Sequence, residues 1–68
     1  MKNRLKVLRA ERDLSQAELA DRLGVARQTI NAMEAGKHDP SLRLAYAVAK
    51  LLGVSVQEVF PVEDEPLT

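Results

Sequence analysis

The sequence predicts an all-α fold of five short helices, and three observations carry that prediction. Tyr46 and Phe60 are the only aromatic residues among 68, while helix formers such as Leu, Ala, Glu, Lys and Arg are plentiful. Ser15-Gln16-Ala17-Glu18 and Ser55-Val56-Gln57-Glu58 are both capping boxes, the pattern that opens a helix. Gly24, Gly36 and Gly53 each follow a stretch in which apolar residues recur at helical spacing, where a left-handed residue closes a helix.

Helix 1 is expected over about residues 3–12, where Leu5 and Leu8 lie on one face, until Asp13-Leu14 breaks the pattern. Helix 2 begins at Gln16 behind the Ser15 cap, carries Leu19, Ala20 and Leu23 on one face, and stops at Gly24. Helix 3 runs from about Arg27 to Glu34 with Ile30 and Met33 inward, and Gly36 ends it. Pro40 interrupts the loop that follows, because its ring has no N–H to donate. Helix 4 covers about residues 42–52, and its wide stripe of Leu44, Ala45, Val48, Leu51 and Leu52 makes it the most buried helix expected. Helix 5 is a short turn ending near Phe60, stopped by Pro61. Residues 1–61 are read as one domain and the acidic residues 62–68 as a tail.

A chain this short buries only about 60% of the surface its unfolded form exposes, so pairing with a second copy is an attractive source of stability. The absence of cysteine points to an intracellular, cytoplasmic protein, because small secreted domains are usually stapled by disulfides. No apolar run approaches the roughly 18 residues that a membrane span needs, and no signal-peptide core follows Met1. His38 stands in a loop with no neighbouring Cys or His, so no metal site and no cofactor are expected. There is neither a nucleophile–base pair nor a glycine loop that cradles phosphate, and the chain is read as a non-enzyme.

The net charge of zero hides an asymmetry. Residues 1–37 carry Lys2, Arg4, Lys6, Arg9, Arg12, Arg22, Arg27 and Lys37 against five acidic groups, a balance of +3; residues 38–68 balance at −3. The first half therefore suits a polyanion and the second half faces away from it.

The informative segment is Gln16–Ala35. Leu19, Leu23, Val25, Ile30 and Met33 supply buried contacts, Ala20 is small where two helices must cross closely, and Gly24 occupies the turn between them. Together these residues describe a helix-turn-helix. On helix 3, Gln28 and Asn31 point away from Ile30 and Met33, with Arg27 and Ala32 at the edges and Thr29 at the flank. Gln and Asn can pair bidentately with adenine and Arg with guanine in the major groove. An ordinary solvated helix face would more often carry Glu and Lys. Gln16, in the first turn of helix 2, and Lys37, at the exit of helix 3, are candidate phosphate contacts.

Leu14-Ser15-Gln16-Ala17-Glu18-Leu19-Ala20, Leu23-Gly24-Val25, Ile30, Met33-Glu34-Ala35-Gly36-Lys37, Pro40-Ser41, Leu52-Gly53-Val54-Ser55 and Phe60 resemble the phage repressor/Cro family, also called the xenobiotic-response-element (XRE) regulators. The resemblance covers about residues 3–60. It implies a lambda-repressor-like five-helix fold, dimeric binding to palindromic double-stranded DNA, and helix 3 in the major groove. It further implies base contacts from Arg27, Gln28 and Asn31, a phosphate contact from Gln16 with Thr29 near the backbone, and an ion pair between Arg9 and Glu34. Two departures stand out. Ala26 occupies the position where relatives cap helix 3 with Ser or Thr, and Ala32 replaces a long polar reader, offering a methyl suited to thymine.

One such module contacts about half a turn of DNA, so a homodimer reading two half-sites is expected. Val56, Val59, Phe60 and Val62 are the candidate dimer residues, with Tyr46 open between core and interface. The function expected is that of a homodimeric repressor. The competing expectation is an antitoxin or accessory module that captures a protein partner with the same fold; the acidic tail is short for wrapping a toxin.

Overall fold

The computed structural model describes residues 2–61. Those residues form α1 (Leu5–Glu11), α2 (Gln16–Leu23), α3 (Arg27–Glu34), α4 (Leu42–Leu52) and α5 (Val56–Val59), with no strand among them. The predicted all-α architecture is the one observed. No helix among the described residues is long and apolar enough to cross a membrane.

Local chemistry sets most of the boundaries. Ser15 Oγ accepts from the Glu18 N–H at 2.9 Å and Glu18 Oε1 accepts from the Ser15 N–H at 3.0 Å, closing the first capping box. These hydrogen bonds favour the ionised carboxylate and hold the Glu18 carboxyl below its ordinary value. Ser55 and Glu58 repeat the reciprocal arrangement at α5, and Ser41 Oγ caps α4 through the Leu44 N–H. Gly24 ends α2 at φ 71°, a left-handed conformation that costs L side chains. A Cβ there would meet nothing within 4 Å, so the requirement is conformational and not steric.

α1 is shorter than the span expected, for reasons visible at both ends. Asn3 stands outside it, its Oδ1 accepting from the Leu5 N–H at 3.1 Å. At the other end Asp13 turns the chain at φ 54°, a region in which Asp is among the better tolerated residues. Leu14 is thereby carried back into the core.

Leu5, Leu19, Ile30, Met33, Val48 and Val59 are fully buried, so every helix sends at least one side chain to the common centre. α2 and α3 make the most intimate pair, with the buried Ala20 at their crossing. α4 buries Ala45, Val48, Ala49 and Leu52, while Leu44 and Leu51 are half-buried at its margins. Arg12 fastens two helix ends: its Nε donates to Leu52 O at 2.8 Å and its Nη1 to Leu8 O at 2.9 Å, satisfying carbonyls that lack helical partners.

Of the three longest helices, α3 alone starts without a side-chain cap, because Ala26 has extended dihedrals but no acceptor. Ala26→Ser is expected to raise stability by about 1 kcal/mol. Chemical denaturation checks this: the midpoint should rise at an unchanged m-value, and a lower midpoint would contradict the helix start at Arg27.

Candidate nucleic-acid interface

The geometry of α3 follows from its two inward residues. Ile30 and Met33 are completely buried, which fixes the rotation of the helix about its axis. With that rotation Arg27, Gln28 and Asn31 are exposed, and Thr29 and Ala32 are half-buried at the edges of the same outer face. Three side chains able to recognise bases thus share one solvent-facing surface, as the sequence pattern anticipates.

The last turn of α3 is held from behind. Arg9 Nε donates to Glu34 Oε2 at 2.6 Å and Arg9 Nη2 to Glu34 Oε1 at 3.3 Å, a forked pair. The two side chains are only 14% and 5% exposed, so water screens the pair weakly. Arg9 Nη1 donates to Leu14 O at 2.6 Å, and Gln16 Nε2 donates to Glu34 Oε1 at 2.9 Å. The Arg9–Glu34 pair therefore gathers α1, the α1–α2 turn, α2 and α3. Among the described residues no buried side-chain polar atom lacks a partner, which is the condition for a buried charge to be tolerated.

Gln16 is half-buried and already engaged with Glu34. An amide nitrogen carries two hydrogens, so the bond to Glu34 leaves a second donor for an outside acceptor. Lys37 is exposed just beyond α3, where its N–H closes the helix by donating to Ala32 O at 3.0 Å. His38 is exposed, and no cluster of potential metal ligands occurs among the described residues.

One correction concerns the second half of the chain. Val59 and Phe60 were expected at a dimer surface, but they are buried in the core of the single chain and have no apolar surface left to share. Val56 is half-buried, and Val62 lies outside the described residues. Tyr46 resolves outward at 61% exposure, above a groove lined by Ala49, Lys50, Val54 and Val56.

Two residues that tie the helices together, Arg12 and Asn3, are not marked as structural by the sequence pattern. Arg12 reads in the sequence only as basic charge, yet its guanidinium is turned inward to Leu52 O and Leu8 O. Asn3 was absorbed into helix 1, although its Nδ2 donates to Met33 O at 2.7 Å and so caps the C-terminal end of α3. An Asn two positions before the first buried Leu is the available signal, since Asn favours helix caps over helix interiors.

A helix-turn-helix family model matches residues 5–59, nearly the whole described fold. The chain belongs to the phage repressor/Cro-type helix-turn-helix family. An uncharacterized HTH-type transcriptional regulator of Methanocaldococcus jannaschii is 54% identical over 65 residues, spanning 96% of this chain and 98% of that one. The cryptic phage CTXphi transcriptional repressor of Vibrio cholerae is 39% identical over 57 residues, 84% of this chain and 51% of the repressor. Among solved structures, a candidate DNA-binding protein from Bacteroides fragilis superposes with a TM-score of 0.79 at 34% identity, covering 85% of this chain and 94% of that one. This family consists of transcriptional regulators with a DNA-binding helix-turn-helix, and it is not an enzymatic one.

Glu34→Gln is expected to destabilise the fold by about 2–3 kcal/mol, somewhat below the cost of stranding a fully buried charge, because Arg9 keeps slight access to water. The double variant Arg9→Met/Glu34→Leu should lose less than the sum of its single changes. Thermal or urea denaturation of wild type, Arg9→Met, Glu34→Leu and the double variant measures the coupling, and strict additivity would show that the pair contributes nothing as a unit.

Proposed function

We propose that the chain is a homodimeric repressor that binds a palindromic operator with α3 in the major groove of each half-site. The observation that carries this reading is the exposed Arg27, Gln28 and Asn31 face on a helix whose opposite side is locked by Ile30 and Met33. Arg27, Gln28 and Asn31 read base edges, Ala32 meets a thymine methyl at the edge, and Thr29 approaches the sugar–phosphate backbone. Gln16 and Lys37 bind phosphates on either side of α3. The Vibrio phage protein and the immunity repressor of Bacillus phage phi105, 36% identical over 56 residues, favour repression as the sign of control.

The dimer surface in this reading is the outer side of α4 and α5. Tyr46 and Val56 line the same groove there, and Val59 and Phe60 support it from within. In this reading the two α3 helices of the dimer meet half-sites about one helical turn of DNA apart.

Selection of bound sequences from a random DNA pool tests the reading directly. A palindrome with equal half-sites is expected, and absence of any enriched sequence would overturn it. On the selected operator, Gln28→Ala should cost about 1–3 kcal/mol and relax base preference at one position per half-site. Lys37→Ala should weaken binding evenly across sequences and reduce the salt slope by about one. For the dimer, Tyr46→Glu or Val56→Glu should yield monomers by sedimentation while helical content persists; dimers of unchanged strength would place the interface elsewhere.

A further inference from the structure

Two consecutive residues ahead of α1 tie together parts of the fold that are distant in the chain. Asn3 Nδ2 donates to Met33 O, in the last turn of α3, at 2.7 Å. The next residue, Arg4, donates its backbone N–H to Val59 O, the last residue of α5, at 2.8 Å. Asn3 Oδ1 meanwhile accepts from the Leu5 N–H, which anchors this strap to the start of α1. The recognition helix and the helix beneath the dimer groove are thus cross-connected through adjacent positions.

We infer that Asn3 is a positioning residue that sets the preferred separation of operator half-sites. This inference rests on the dimeric reading above. In a two-fold dimer that meets through α4 and α5, the distance between the two α3 helices is the α3-to-α5 geometry of one chain taken twice. The Arg9–Glu34 pair fixes α3 against α1 and α2, whereas the Asn3–Arg4 strap fixes its C-terminal end against α5. A small change in that second relation leaves the reading face intact within each subunit and displaces the two faces relative to one another.

Asn3→Ser isolates the contact. A serine hydroxyl still accepts from the Leu5 N–H and is too short to reach Met33 O, so α1 keeps its start while α3 loses the tie. The experiment uses the full chain and a set of duplexes carrying the selected half-sites at separations varied one base pair at a time, plus a duplex with a single half-site. Wild type should show one sharply preferred separation. Asn3→Ser should lose about fivefold in affinity at that separation, within the range of one hydrogen bond, bind neighbouring separations more nearly equally, and bind the single half-site as wild type does. If wild type peaks and Asn3→Ser has the same profile, or falls equally on every duplex including the single half-site, the positioning role is overturned while the dimeric reading survives. If wild type itself shows no preferred separation, both are overturned.

Discussion

The carboxylate of Glu34 is the point on which the arrangement of helices depends. It is nearly enclosed, and a charge in that position is stable only with its donors in place. Arg9 supplies two of them and Gln16 a third, and these come from α1 and α2 while Glu34 itself belongs to α3. The same guanidinium reaches Leu14 O in the turn between the first two helices. Apolar packing of Ile30, Met33 and Leu19 makes the core favourable but tolerates sliding. A forked ion pair at 2.6 Å does not, because its strength falls steeply with distance and angle. The hydrophobic core thus supplies cohesion, and the polar hub supplies register.

That division explains the asymmetry of α3. Its C-terminal turn is fastened twice, through the Glu34 side chain and through Met33 O to Asn3. Its N-terminal turn, where Arg27 and Gln28 stand, has no side-chain cap at Ala26. A short helix held at one end presents its free amides and its polar readers at the other. In the proposed complex this turn carries Arg27 and Gln28 to the base edges, and the rigid end keeps the face aimed.

Much of this was legible in the sequence because it rests on local chemistry. Capping at Ser15, Ser41 and Ser55 and the glycine stops depend on residues within a turn or two, and they placed α2 to α5 correctly. The inward and outward faces of α3 followed from the positions of Ile30 and Met33. What escaped were contacts between residues far apart in the chain. Arg12 reaches Leu52 O and Asn3 reaches Met33 O, and nothing in periodicity marks a backbone carbonyl as a partner. The C-terminal apolar residues failed differently. Val59 and Phe60 read equally well as core or interface, and only the packed core of so short a chain assigns them inward.

The most direct test of the central claim, that α3 is braced from behind so that its outer face meets DNA, is a backbone amide NMR titration with the selected operator. The account predicts that resonances of Gln16, residues 27–32 and Lys37 shift most, while amides inside α3 keep their protection from hydrogen exchange. Shifts concentrated on α4 and α5, or loss of protection along α3 on binding, would contradict it.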